Sequence, residues 1–168
     1  SGYYISCFIN PSDKPLDIDP QKIKRDVSKF SYPTRDSFKN KPLLNISQWA
    51  DYLIDVGINK VLVTTDDPIE RHDQIRIAKQ KNIELINAIH PTAFLMDGVL
   101  IKGNVILHEH SHIGYRAELF PGVIVDGAYL GHHCVIRDCS QIVSGATIGA
   151  NVTIGRFTRI NTGAVILS

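Results

Sequence analysis

The stretch Ile142-Val143-Ser144-Gly145-Ala146-Thr147-Ile148-Gly149-Ala150-Asn151-Val152-Thr153-Ile154-Gly155-Arg156-Phe157-Thr158-Arg159-Ile160 places an isoleucine at every sixth position. With one exception the period extends in both directions. It runs back through Ile136, Leu130, Val125, Leu119, Ile113, Leu107, Ile101 and Leu95, and forward to Ile166. Four residues after most of these aliphatics stands a small or β-branched side chain, as at Val105, Ser111, Ala117, Val123, Cys134, Ser140, Ala146 and Val152. Glycine directly follows several of them, at Gly114, Gly131, Gly149 and Gly155. An amphipathic helix spaces its apolar residues three and four apart, so a period of six excludes it. A fixed short period is the mark of a solenoid. Three short strands would close one triangular coil of about 18 residues. Coils stacked about 4.8 Å apart then bury each aliphatic in the prism and set the small residue near the next corner. Residues 91–168 are therefore expected to form a left-handed parallel β-helix of hexapeptide repeats, with roughly four coils.

The exception is the step from Val125 to Leu130, which is five residues and shortens the coil at Asp126-Gly127-Ala128-Tyr129. Gly131-His132-His133 follows at once. A broken repeat beside paired histidines is where a functional site is expected on a regular scaffold, a tolerated deletion in a turn being the competing reading. His108, His110 and His112 also alternate, and on one strand they would share a face as metal ligands do. Glu109 and Glu118 are nearby in sequence, but no fixed ligand spacing is matched, so no metal site is assigned.

Upstream of the repeat the pattern changes. Tyr3 to Ile9 is β-branched and aromatic and stops at Asn10-Pro11-Ser12-Asp13, which is turn chemistry. Asp19 before Pro20 predicts a helix over Pro20 to Phe30, and a loop rich in Ser, Pro and Lys follows. Ser47 precedes a helical stretch from Gln48 to Val56 that Gly57 closes. Lys60 to Thr65 reads as a buried strand, Ile69 to Gln80 as a helix, and Ile83 to Ile89 as the next strand. Strands alternating with helices imply a small doubly wound, Rossmann-like α/β domain over residues 1–90. Ligands in such sheets sit beyond the strand C-termini, which makes Asn10, Pro11, Thr65 and Asp66 the candidate substrate contacts. No glycine-rich phosphate loop is present in this half.

Composition narrows the function classes. Of 168 residues, 43% are apolar and 21% charged, which is the balance of a globular chain. A formal net charge of +1 gives no electrostatic reason to expect a nucleic-acid partner. No apolar run reaches the roughly 20 residues that span a bilayer. Three cysteines without CxxC spacing suggest neither a disulfide framework nor a zinc knuckle, so a cytoplasmic location is expected. The chain opens in a strand-like run and stops in mid-repeat at Ser168, which points to a segment of a longer protein.

Three stretches carry a likeness to a known family. They are Cys7-Phe8-Ile9-Asn10-Pro11; Val63-Thr64-Thr65-Asp66-Asp67 with Arg71 and Ile86-Asn87-Ala88-Ile89-His90-Pro91-Thr92-Ala93; and Gly131-His132-His133-Cys134-Val135-Ile136. Together they resemble the NeuD/PglD-like sugar acyltransferases, which join a small Rossmann-like domain to a left-handed β-helix. The last stretch is the strongest, and from His132 to Thr162 the likeness runs without a gap.

The resemblance implies acyl-CoA-dependent transfer, most simply of acetyl, to an amine or hydroxyl of a sugar or nucleotide-linked amino sugar in surface polysaccharide synthesis. His132 would be the general base, which imidazole suits near neutral pH. Gln141 falls where a histidine contacts the acyl group, and it still has a hydrogen-bond donor. Thr162 falls along the pantetheine of acetyl-CoA, and a homotrimer is implied. Besides Gln141, the sequence departs from the family pattern in four places. It lacks the first strand and glycine-rich loop, has Asn10-Pro11 for an acidic pair, has His133 for the acid that orients the base, and ends before the last coils. If residues 1–168 were the whole protein, those coenzyme-binding coils would be missing.

Two other readings share the scaffold. A γ-carbonic-anhydrase-like metal lyase would need histidines from adjacent subunits around a metal, which metal analysis would detect. A non-catalytic trimeric scaffold would show no binding of acetyl-CoA by calorimetry.

Overall fold

The computed structural model describes residues 3–14 and 36–168. The helix expected over residues 20–30 lies outside them. The chain forms two compact units, residues 1–58 and 59–168.

In the first unit β1 (Phe8–Asn10) runs parallel to β3 (Lys41–Asn45), with Phe8 opposite Leu43. On its other side β3 pairs antiparallel with β2 (Ser37–Phe38). A hairpin thus stands within the segment expected as loop. Its two-residue turn, Lys39-Asn40, has φ of 47° and 59°, the left-handed pair that matches strand twist in a tight hairpin. Lysine is an unusual occupant of such a turn, which hid the signal. The expected strand from Tyr3 contributes only its last residues. Helix α1 (Trp49–Asp55) buries Trp49, Ala50 and Leu53. Ser47 does not cap it. Its hydroxyl donates to Asp13 Oδ2 at 2.7 Å and its N–H to Oδ1 at 2.9 Å.

The second unit begins with one βαβ crossover. Strands β4 (Lys60–Val61) and β5 (Glu84–Leu85) are parallel and are joined by α2 (Pro68–Gln80). Asp67 starts the helix, since its carboxylate accepts from the N–H groups of Ile69 and Glu70, both at 2.9 Å, and Pro68 has no N–H to satisfy. Arg71 is 1% exposed and ties this crossover to the solenoid. Its guanidinium donates to the carbonyls of Thr65 at 2.6 Å and Asp66 at 3.0 Å, and to those of Gly122 at 3.0 Å and Cys139 at 2.8 Å. Asn104 does the same at Val63, with its amide donating to the carbonyl at 2.9 Å and its oxygen accepting from the N–H at 2.7 Å.

The expected strand at residues 83–89 splits. Its second part, β6 (Ala88–Ile89), already belongs to the solenoid, where it pairs with β9 (Ile106–Leu107). The remaining two-residue strands form three parallel ladders, about four turns in all. One face stacks β7 (Phe94–Leu95), β10 (His112–Ile113), β13 (Tyr129–Leu130), β16 (Thr147–Ile148) and β19 (Val165–Ile166). The second stacks β8 (Leu100–Ile101), β11 (Glu118–Leu119), β14 (Val135–Ile136) and β17 (Thr153–Ile154). The third adds β12 (Ile124–Val125), β15 (Gln141–Ile142) and β18 (Arg159–Ile160) to β6 and β9.

From β7 onward the second residue of each strand packs into the prism. Leu107, Ile113, Leu119, Val125, Leu130, Ile136, Ile142 and Ile148 are all 1% exposed or less. Ala117, Val123, Cys134 and Ala146 lie between them, as the repeat predicts. The short step is absorbed at one corner. There Ala128, three residues after Val125 and not four, takes the small-residue position, and Gly127 turns at φ 53°. The ladder resumes in register, with Tyr129 opposite His112 and Leu130 opposite Ile113.

Candidate active site

His132 stands at the corner between the first and second faces, the first corner after the short step. Each coil contributes a turn here. His133 N–H donates to the Tyr115 carbonyl at 2.8 Å, and Asn151 N–H donates to the His132 carbonyl at 2.9 Å. Tyr115, His132 and Ala150 therefore form one column and Arg116, His133 and Asn151 the next. The entry to the corner is a column of glycines. A Cβ on Gly114 would lie 2.5 Å from the Gly131 carbonyl carbon and 2.6 Å from the His132 nitrogen. One on Gly131 would lie 2.8 Å from the Ala150 nitrogen. Glycine at these positions sets the closeness of the coils that carry His132.

Both imidazoles are exposed. His132 Nδ1 lies 3.0 Å from His133 Nδ1, with the rings 88° apart. His133 holds a left-handed backbone, φ 57°, and its ring meets that of Tyr115 edge-on at 5.7 Å. Arg116 lies over the Tyr115 ring at 5.0 Å. Among the described residues nothing engages His132 Nε2. Cys134 follows directly but faces inward, and its thiol donates to the Gly149 carbonyl at 2.9 Å. Burial pushes that thiol above its ordinary value, so it is a packing residue rather than a thiolate nucleophile.

The other candidates lie elsewhere. Gln141 is on the third face, opposite the His132 corner of the prism, where its side-chain oxygen accepts from Arg159 at 2.5 Å. Thr162 is exposed at the corner that follows the third face, one coil beyond Ser144. One copy of the chain thus does not bring His132 and Gln141 together. Asn10 and Pro11 belong to the first unit. Asn10 donates to Asn45 Oδ1 and the Lys14 carbonyl, both at 2.9 Å, which braces its turn. Thr65 and Asp66 belong to the second, with their carbonyls taken up by Arg71.

His108, His110 and His112 do not share a strand. Only His112 is in one, and His110 turns the corner at φ 58°. Among the described residues no three His, Cys, Asp or Glu side chains converge as a metal site would require. Among them, no helix is long and apolar enough to cross a membrane. Sequence reasoning missed Tyr115, whose place under the histidine corner follows only from the 17-residue offset that the short step creates.

No family model matches the chain. In sequence it is similar to the acyl-[acyl-carrier-protein]–UDP-N-acetylglucosamine O-acyltransferase of Campylobacter lari, at 29% identity over 46% of this chain and 37% of the relative. In structure it is similar to the acetyltransferase domain of PglB from Neisseria gonorrhoeae in complex with acetyl coenzyme A. The TM-score is 0.72 at 24% identity, over 79% of this chain and 64% of that one. A second structure of that domain gives 0.64 at 20% identity, over 81% of this chain and 67% of that one. The chain spans little more than a third of the length of the curated relative it matches. The structural likeness establishes a shared parallel β-helix fold. The sequence likeness to an acyltransferase agrees with the family resemblance of the chain's repeats.

Proposed function

We propose that the chain is part of an acyl-CoA-dependent sugar acyltransferase, built as a left-handed β-helix behind a Rossmann-like α/β region. The observation that carries this reading is an exposed imidazole, His132, at a solenoid corner with Nδ1 engaged and Nε2 open. An amine or hydroxyl acceptor gives its proton to His132 Nε2 as it attacks the thioester carbonyl. A C–N or C–O bond forms, the C–S bond breaks, and the coenzyme A thiolate leaves with that proton.

Gln141 would donate to the acyl oxygen and Thr162 would lie along the pantetheine. Both sit away from the His132 corner, so the complete site is formed by neighbouring copies, which supports a homotrimer. The exposed stripe of Phe94, Tyr129 and Val165 on the first face supplies apolar surface for such packing. In this reading Asn10 and Pro11 of the first unit, and Thr65 and Asp66 of the second, are each candidate contacts for the acceptor sugar, and residues 91–168 hold acetyl-CoA in the cytoplasm. The likeness to an acyltransferase that acts on UDP-N-acetylglucosamine supports a nucleotide-linked sugar as acceptor.

The test is release of free thiol from acetyl-CoA with a panel of nucleotide-linked amino sugars, for the chain and for His132→Ala. Transfer that His132→Ala abolishes, at unchanged thermal stability, is the expected result. Full activity in His132→Ala would refute the assignment.

A further inference from the structure

We infer that His133 is the positioning residue for His132, a neutral imidazole that accepts the His132 Nδ1 proton and so frees Nε2 for the acceptor. This rests on the proposed role of His132. At 3.0 Å the two Nδ1 atoms are within hydrogen-bond distance, and one of them must carry the proton while the other accepts. If His132 is to take a proton at Nε2, its own ring proton has to be on Nδ1. His133 must then accept at Nδ1 and hold its proton on Nε2. Both rings are neutral in that state, so the pair requires no carboxylate. When Nε2 gains the substrate's proton, the His132 Nδ1–H bond to His133 becomes charge-assisted and strengthens.

The backbone fixes where the His133 ring starts: its φ of 57° is the turn conformation that Arg116 and Asn151 share in the same column, and its N–H donates to the Tyr115 carbonyl. Facing the pair are the Tyr115 ring and, over that ring, the Arg116 guanidinium. The neighbouring turn residues Ala150 and Asn151 carry no charge. A carboxylate in place of His133 would favour the charged form of His132.

The test uses the full chain and three substitutions. Asn and Asp tolerate the left-handed backbone, so His133→Asn and His133→Asp keep the corner, and His133→Leu removes the acceptor at comparable size. Nitrogen-15 NMR of the imidazoles is expected to show the His132 proton on Nδ1 in the wild type and in His133→Asn. In His133→Leu it should shift toward Nε2. In turnover, His133→Asn should stay within about threefold of wild type and His133→Leu should lose at least about tenfold in kcat with KM for acetyl-CoA unchanged. His133→Asp, which also accepts, should keep the His132 proton on Nδ1.

A wild-type His132 protonated on Nε2, or a His133→Leu enzyme with the wild-type tautomer and kcat, would overturn the inference. Activity that survives His132→Ala would instead refute the base assignment on which it rests. The NMR arm decides the pairing whether or not an acceptor sugar is found.

Discussion

Replacing Gly114 with Ala should damage the His132 corner through backbone contact alone. Gly114 has no left-handed φ to lose, so the added methyl acts only by volume. It would meet three backbone atoms of the next coil, the Gly131 carbonyl carbon at 2.5 Å, the His132 nitrogen at 2.6 Å and the Gly131 oxygen at 2.7 Å. None of these can swing aside as a side chain would. Relaxing the shortest contact to the 3.4 Å of ordinary van der Waals approach opens the coils by about 0.9 Å. The ladder bonds that cross this gap, Gly114 N–H to the Leu130 carbonyl at 2.8 Å and His133 N–H to the Tyr115 carbonyl at 2.8 Å, stretch with it.

Overpacking of this kind costs about 1–3 kcal/mol of stability. A displacement near 1 Å of a reacting group costs on the order of a hundredfold in turnover. The expected result for Gly114→Ala is therefore lower stability in urea together with a loss in kcat out of proportion to it. Gly155→Ala is the control, because its Cβ would meet nothing closer than Thr158 Oγ1 at 3.6 Å and its φ is not left-handed. That variant should be neutral or slightly more stable, through a smaller unfolded ensemble. Equal stability and turnover in the two variants would refute the idea that the glycine column sets the position of His132.

Arg71→Met should lower stability by about 3 kcal/mol in chemical denaturation, because four carbonyls lose a buried donor at once. Pulse alkylation of the native chain should label Cys7, which is half-buried, before Cys134 and Cys139, which are buried. Burial raises all three thiols, so the fold favours their neutral forms, and raising the pH past the ordinary thiol value should weaken it. Asp13 has the opposite sign. The Ser47 N–H and hydroxyl hold its carboxyl below the usual range, so its contact is present above the unfolded carboxylate value and lost as the pH falls through the folded one. The Ser47 amide shift in an NMR titration should follow that loss, and Asp13→Asn should remove it.

The two halves were legible to different depths, and the difference is physical. In the solenoid one rule, the six-residue period, fixes burial, strand position and register together, so reading the period recovers all three. The N-terminal half has no such redundancy. Its parallel β1–β3 pair joins Phe8 to Leu43, a contact across more than thirty residues that local propensity does not reveal. Asn10 and Asp66 also carry structural contacts that loop chemistry does not announce: the Asn10 side chain braces its own turn and the Asp66 carbonyl holds Arg71.

The histidine corner lies between these cases. The repeat locates it, since a step of five from Val125 to Leu130 cannot fall on a regular coil without changing the offset between neighbouring turns. Across the short step His112 pairs with Tyr129, 17 residues on, while Ile106 pairs with Ile124, 18 on. That offset places Tyr115 in the column beneath His132, beside His133, and no motif in the sequence indicates it. What the sequence hid most fully was His133. Judged by charge, it is a failed substitute for an acid. Judged by its Nδ1 at 3.0 Å from His132, it is a hydrogen-bond acceptor, and accepting a proton from a neutral ring takes a lone pair and no negative charge.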